Sequence, residues 1–519
     1  MGDVRHSLGH GAGCGCCGGG HGDGLNRRDF LAEVGVAALG GAVLTAMAPR
    51  PPSAEPSLPR REDRPLRMQP VLLHSVPKRR EATSWRQWGG LQTEADAEAE
   101  KARIERELKS VRQRADFALE LLPVKAATTQ EQAAAIAAEA HDGAIVYAAG
   151  CGEPVLRAAT APEKWNLIFC RHRTGPAYLW YEIVHPRYLR KMVDEYGQPG
   201  MTTDDVVVDE LDDIVWRLRA LHGLKNTVGK KIVTIGGAGG WGAGGKTAPQ
   251  RAQELWKLQY IDVPYPQLAE RIQKAFADGA LVGRCRGEAS RYLKQGVTRV
   301  DTKREFIDRA FVLAEVFRQI LADAGTDAIT VQHCMGTIMG ASQTTACLPL
   351  SLLNDEGYMA FCESDFVVIP SGILLRGISG RPVFLNDPTY PHHGLVTLAH
   401  CTAPRRMDGC HCERAKLLTH FESDYGAAPK VEMRLGQTLT NLVPDFASAQ
   451  WVGFEGKIVG NPFLDICRSQ IDVEIQGDWK RLLAEMKGFH WMTCYGNYLR
   501  ETGYALGKVG VGWLDVSAA

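Results

Sequence analysis

Short apolar runs alternate with helix-length segments along most of this chain, and that alternation narrows the fold more than any other feature. "PVLLHSV" at 70–76, "AIVYAAG" at 144–150, "WNLIFC" at 165–170 and "LWYEIV" at 179–184 each have the length and aliphatic content of a buried strand. Between them the signals are helical. A charged helix is expected from about Gln92 to Leu122, and Thr128 with Glu131 forms a capping-box pattern that opens the Ala-rich segment 129–140. Strand and helix in alternation build parallel sheets covered by helices. Residues 68–228 are therefore expected to form one α/β domain, and 229–350 a second that begins at the strand-like "KKIVTI". No internal repeat of fixed period is visible.

A chain of 519 residues exceeds a single core, and at ~100–200 residues per domain it implies about three. With 45% hydrophobic and 23% charged residues the composition is that of an ordinary globular protein. Lys plus Arg and Asp plus Glu both total 60, so no net field favours nucleic acid or an anionic membrane. A neutral small molecule is the expected partner.

The amino terminus reads as a leader. "NRRDFL" (Asn26 to Leu31), followed by a weakly apolar stretch from Val34 to Ala48, resembles a twin-arginine export signal. That stretch falls short of the ~20 residues needed to cross a bilayer, so no stable membrane span is expected. Residues 1–48 are read as the signal and 49–67, rich in Pro, Arg and Glu, as a linker. A periplasmic or extracellular location follows, by a route associated with proteins that fold and often load a cofactor first. The leader's "HGAGCGCCGGGHGDG" is expected to be a flexible, solvated segment, with metal binding as the alternative. Of 14 cysteines, Cys14, Cys16 and Cys17 lie there. The others are scattered through apolar runs such as "LIFC" and "AFC", the pattern of buried thiols and not of a disulfide framework.

"KKIVTIGGAGGWGAGGKT" at 230–247 carries two nucleotide patterns at once. Gly237, Gly239 and Gly242 fit G-x-G-x-x-G after a strand, with Asp262 about 20 residues on. Gly240 to Thr247 fits the G-x-x-x-x-G-K-[ST] phosphate loop. One loop cannot satisfy both geometries. Extra glycines and Pro249 interrupt the start of the helix, so a glycine-rich loop that covers a substrate is the main expectation and nucleotide binding the alternative.

Carboxylates then appear where apolar runs end. "GYMAFCESDF" (357–366) sets down Glu363 and Asp365, "SGILLRGISG" supplies a helix, and "RPVFLND" is a second apolar run ending at Asp387. This order reads as a βαβ unit with parallel strands. Neighbouring strands would place Glu363 and Asp387 about one strand spacing, ~4.8 Å, apart. Two like charges at that range call for a cation, and a hard divalent ion with oxygen and imidazole ligands is the simplest. Imidazole candidates are His400 after "LVTLA", His490 in the aromatic "GFHWMTCY", and His392 and His393.

"CLPLSLLNDEGYMAFCESD", "GRPVFLND", "LAHCTAP" and "GFHWMTCYGNYLRE" together resemble the carboxy-terminal half of the L-fucose isomerase and L-arabinose isomerase superfamily, over about residues 330–505. The resemblance implies two Rossmann-like three-layer α/β domains followed by a mixed α/β, β-barrel-like domain, placed here at 351–519. It implies that Glu363, Asp387 and His490 bind a divalent cation, Mn2+ or a substitute such as Mg2+ or Co2+, with His400 a further metal or substrate contact. It implies aldose–ketose isomerisation of a monosaccharide through an enediol, Glu363 and Asp387 moving the proton, in a homo-oligomer (trimer or hexamer). Two other readings stand beside it: a nicotinamide (NAD)-dependent sugar oxidoreductase using the loop 236–245, and a non-catalytic exported sugar-binding protein. Cys401, Cys410, His411, Cys412 and His420 form a further cluster without the paired C-x-x-C of a structural zinc site. A structural or pocket-lining role is expected for it, with a separate zinc as the alternative.

Overall fold

Strand Leu66–Leu73 organises the first sheet, with Leu119–Leu121 and Lys125–Ala127 along one side of it and Gly143–Ala148, Leu167–Cys170 and Val206–Val208 following on the other. Every pairing in this sheet is parallel. The computed structural model describes residues 63–190 and 197–518. The expected signal segment 1–48, its arginine pair and its three cysteines lie outside the described residues, as does most of the linker. No helix among the described residues is long and apolar enough to cross a membrane.

Several expected elements shift. The first strand begins earlier than the expected 70–76, and the charged helix runs over Glu94–Arg114, ending well before Leu122. The capping box of the Ala-rich helix is formed by Thr129 and Gln132, one residue beyond the Thr128 and Glu131 pattern. "LWYEIV" is not a strand but a helix, Trp180–Ile183, continued by a π-helical turn, Val184–Leu189. Trp180, Val184 and Tyr188 are all buried. Their i, i+4, i+8 spacing is a helical face, visible only when the window extends past Val184.

A second parallel sheet holds, in order, Met359–Cys362, Ala328–Val331, Lys231–Ile235 and Gln259–Val263. The carboxy-terminal region contains a closed antiparallel barrel of six strands. They run Thr438–Val443, Trp491–Tyr495, Phe384–Pro388, Leu395–His400, Ser469–Gln476 and Gln450–Gly460, and the last pairs back onto the first. Closure removes the exposed edges that an open antiparallel sheet leaves unpaired. Gly512–Asp515 adds a parallel strand outside this ring. Phe384, Leu439, Phe454, Val473 and Trp491 belong to one buried apolar cluster of the barrel. The chain is thus a mixed α/β fold with parallel-sheet α/β domains and a carboxy-terminal barrel.

The βαβ expectation fails in an informative way. Met359–Cys362 is the edge of the second parallel sheet, whereas Phe384–Pro388 pairs antiparallel with two barrel strands. The intervening helix Ile369–Ser379 therefore carries the chain from one sheet to the other instead of returning it. Every residue of that helix is buried, which explains why it has no polar face. It packs on the helix Leu211–Thr227, itself largely buried. Gly223 and Gly377 meet at the crossing: a Cβ on Gly223 would stand 2.3 Å from Ile378 Cγ1 and 2.9 Å from the Ile378 amide nitrogen.

Gly223→Ala tests how tightly this bridge is held. In a free helix the change would gain up to ~1 kcal/mol of propensity. Overpacking against backbone costs typically ~1–3 kcal/mol, so the clash is expected to win. A urea midpoint that falls, with an unchanged m-value, is the expected result.

Candidate metal centre

Glu363 follows the end of strand Met359–Cys362 in a backbone conformation that few side-chain-bearing residues adopt. Its φ is 64° and that of Ser364 is 47°. Such residues cost of order 1–3 kcal/mol each and persist only where surroundings over-determine them. Here they do. The Ser364 amide donates to Thr330 Oγ1 at 3.1 Å, the Gly239 amide donates to the Ser364 carbonyl at 3.1 Å, and the Phe366 amide donates to the Gly239 carbonyl at 3.0 Å. The turn swings Glu363 toward open space, with 42% of its side chain exposed, while Asp365 points inward with 2% exposed.

Asp387 and His490 come together through the barrel ladder. Asn386 faces Trp491 in antiparallel register, so one step further the chain sets Asp387 beside His490. On the other side Asp387 faces Ala399, which brings the following residue, His400, to the same end. Glu363 arrives from the other sheet. His490 Nε2 lies 3.2 Å from Asp387 Oδ1 and 3.4 Å from Glu363 Oε2, and His400 Nε2 lies 4.0 Å from Glu363 Oε1. Asp387, His400 and His490 each offer a ligand atom within 4.8 Å of the other two. All four expected site residues therefore converge, although the strand adjacency expected to unite two of them does not exist. His392 and His393 are exposed beside the turn before Leu395–His400, ring against ring at 5.5 Å.

The far side of each imidazole is occupied. His490 Nδ1 pairs with Asp365 Oδ2 at 2.8 Å, and His400 Nδ1 with Thr402 Oγ1 at 2.9 Å. Asp365 is held in turn by the amides of Val367 and Trp241, at 3.0 and 3.2 Å. An imidazole fixed through one nitrogen presents the other, which is how carboxylate–histidine pairs orient metal ligands. His490 Nε2, His400 Nε2 and Asp387 Oδ1 are buried without a well-aligned hydrogen bond, the first and last facing each other as an ion pair at 3.2 Å. Orphaned buried polar atoms are costly, and three of them aimed at one place fit a cation.

Electrostatics agree with that fit. Burial opposes charge on His490, but Asp365, Asp387 and Glu363 outweigh it and push the imidazole up to about 11. Burial likewise raises Glu363, and the imidazoles of His490 and His400 override it and bring the carboxyl down to about 2. Burial pushes His400 below the ordinary imidazole range. The pocket is a group of carboxylates around the His490 imidazolium with His400 at its side, a cluster of donors that could bind a metal.

The glycine-rich loop belongs to this site. Gly239 bridges to Asp365, and the Trp241 amide holds Asp365. Gly240 and Gly245 approach so closely that a Cβ on Gly240 would lie 2.1 Å from the Gly245 carbonyl oxygen. The helix starts only at Ala248, beyond both glycine patterns, and Asp262 accepts a hydrogen bond from the Thr234 hydroxyl. The Trp241 ring, 46% exposed, stacks on Phe489 at 4.0 Å, and Phe489 touches His490 at 4.9 Å.

Asp365 and Thr402 had no role in the sequence reading. Asp365 stands two residues from Glu363, and an acid in an apolar run was the available signal. The expected cysteine–histidine cluster splits. Cys410 and His411 gather with Asp408 near the surface, whereas Cys401 and His420 turn inward to Cys347. No protein-family model and no curated protein matches the chain.

Asp365→Asn should leave all four candidate ligands in place yet weaken divalent-cation binding ~10–100-fold, the usual effect of losing an outer partner. Titration calorimetry with Mn2+ measures it. Because the carboxylates hold a proton on His490 up to about 11, binding at neutral pH must displace that proton. Cation affinity should therefore rise with pH, and the heat of binding should depend on the buffer's ionisation enthalpy.

Proposed function

We propose that this protein is a divalent-metal-dependent aldose–ketose isomerase, similar to the fucose and arabinose isomerases, that acts on a monosaccharide through an enediol. The observation that carries the reading is the convergence of Glu363, Asp387, His400 and His490, from two separate sheets, with three buried ligand atoms that lack a well-aligned hydrogen bond. Glu363, Asp387 and His490 hold the ion, Mn2+ or a substitute such as Mg2+ or Co2+, and His400 completes the set or meets the sugar. Such an ion supplies Lewis-acid polarisation of the sugar's carbonyl and neighbouring hydroxyl.

The chain's own groups divide the remaining work. Asp365 is buried and committed to His490, so its part is to orient that imidazole. Glu363 and Asp387 are the carboxylates with exposed surface, at 42% and 26%. They are placed to take a proton from one sugar carbon and return it at the next. Trp241 and Phe489, both partly exposed, form an apolar wall beside His490 on which a sugar's C–H face can rest.

An oxidoreductase reading is weaker on two counts. The loop 236–245 is bound to the turn at Ser364 and Asp365, and its last glycine precedes the helix without opening it. Export by the twin-arginine route to the periplasm or exterior, and assembly as a trimer or hexamer, belong to the same proposal.

Incubation with pentoses and 6-deoxyhexoses should give ketose in the presence of Mn2+ and none after chelation. Glu363→Gln should lose ketose formation and lose more than the ~10–100-fold in cation affinity expected for an outer partner. Full activity and full metal in that variant would remove the assignment, and binding of sugar without ketose would mark a sugar-binding protein. A melting temperature raised by NADH and indifferent to Mn2+ would favour the oxidoreductase. Trp241→Ala should raise KM about 5-fold with kcat little changed, equivalent to ~1 kcal/mol of lost apolar contact.

A further inference from the structure

Beside the carboxylate site lies a second cluster of quite different chemistry. Cys347 opens the helix Cys347–Asp355, Cys401 directly follows His400, and His420 sits in the turn after strand Arg414–Leu418. All three are buried, and their ligand atoms lie within 4.8 Å of one another. Cys467, partly buried, packs against Cys347 and Cys401. Cys347, Cys401 and His420 thus come within reach of one ion, and Cys467 stands at the rim against the two thiols.

We infer that Cys347, Cys401, Cys467 and His420 form a zinc site of the three-cysteine, one-histidine class, separate from the carboxylate site. The donor number and type are those of closed structural zinc sites. Zn–S bonds of ~2.3 Å span tetrahedral edges of about 3.8 Å, so drawing Cys347, Cys401 and His420 onto an ion requires shifts of up to about an ångström, and Cys467 closes in from the rim. Positive groups lie at the cluster's edge. The Arg468 amide donates to Cys401 Sγ at 3.5 Å, and the Arg468 guanidinium donates from Nε to the Thr419 carbonyl at 2.8 Å, next to His420. A backbone N–H and a cation at that position offset the negative charge that three thiolates leave on a divalent ion. His420 Nδ1 pairs with Ser423 Oγ at 3.2 Å, which leaves Nε2 for the metal.

The two sites select different ions. Oxygen and imidazole at Glu363, Asp387, His400 and His490 suit Mn2+ or Mg2+, whereas sulfur at the second site suits zinc and rejects both. Cys401 is covalently next to His400, so a filled sulfur site also fixes the end of strand Leu395–His400 and with it one imidazole of the first site. The inference does not depend on the isomerase reading.

The test uses the full chain, first as purified and then reloaded with Co2+. As purified, one zinc per chain should survive dialysis against EDTA and be released in step with thiol modification by a mercurial. Reloading should produce a thiolate-to-cobalt charge-transfer band in the near ultraviolet. Cys401→Ser and Cys467→Ser should each lose the band and the retained zinc. Glu363→Gln should keep both even if it loses the other ion and activity, which separates failure of this site from failure of the first. If Cys401→Ser does not fold, Cys467→Ser, at the more exposed rim, and His420→Ala carry the comparison by circular dichroism and metal content. Cobalt-loaded wild type without the band, or non-reducing peptide maps with a Cys347–Cys401 or Cys401–Cys467 disulfide, would overturn the inference.

Discussion

The pairing of His490 with Asp365 is the contact on which the rest of the site depends. Both side chains are buried, and each comes from a different sheet: Asp365 from the turn after the parallel strand Met359–Cys362, His490 from the start of a barrel strand. A carboxylate so buried is tolerable only with donors around it, and here an imidazole and two backbone amides supply them. Once that pair is made, the far nitrogen of His490 points at Asp387 and Glu363. The strained turn at Glu363 and Ser364, the bridge to Gly239 and the placement of Trp241 all brace the same pair.

The helix Ile369–Ser379 makes this meeting possible. It lies between the second sheet and the barrel, buried on every side, and its glycine-to-glycine crossing with Leu211–Thr227 ties it to the amino-terminal region as well. A segment without a polar face has no freedom to rotate relative to its neighbours, since any rotation would break close packing. The distance between Glu363 and Asp387 is therefore set by packing across two sheets and not by a hydrogen-bonded ladder. Two carboxylates on flexible loops would drift apart under their own repulsion, whereas here the scaffold holds them.

Much of this was legible locally. Glu363, Asp387, His400 and His490 could be picked out because each ends or precedes an apolar run, where an ionisable group needs a reason to be. The strand at Gly143–Ala148 and the helix Ile369–Ser379 follow from length and apolar content alone. "LWYEIV" is helical instead, because Tyr188 lies outside the short window whose length and apolar content suggest a strand and completes a helical face. Asp365 was visible as an acid but not as a partner of His490, a residue 125 positions away. The cysteine–histidine cluster expected in a structural or pocket-lining role rests on proximity along the chain, while the thiol that gathers with Cys401 and His420 is that of Cys347, from a distant segment, with Cys467 packed beside the two thiols.

What the sequence determined by itself is which ionisable residues border apolar runs and the α/β character of the chain, because side-chain type and hydrophobic period act over one or two turns or strands. What only the tertiary structure decided is the company those residues keep. A strand–helix–strand pattern does not encode whether the second strand rejoins the first sheet or enters another, since local periodicity is identical in both cases. That choice rests on long-range pairing: Phe384–Pro388 finds two antiparallel partners in a barrel that closes, and closure is a property of six strands together and of none alone.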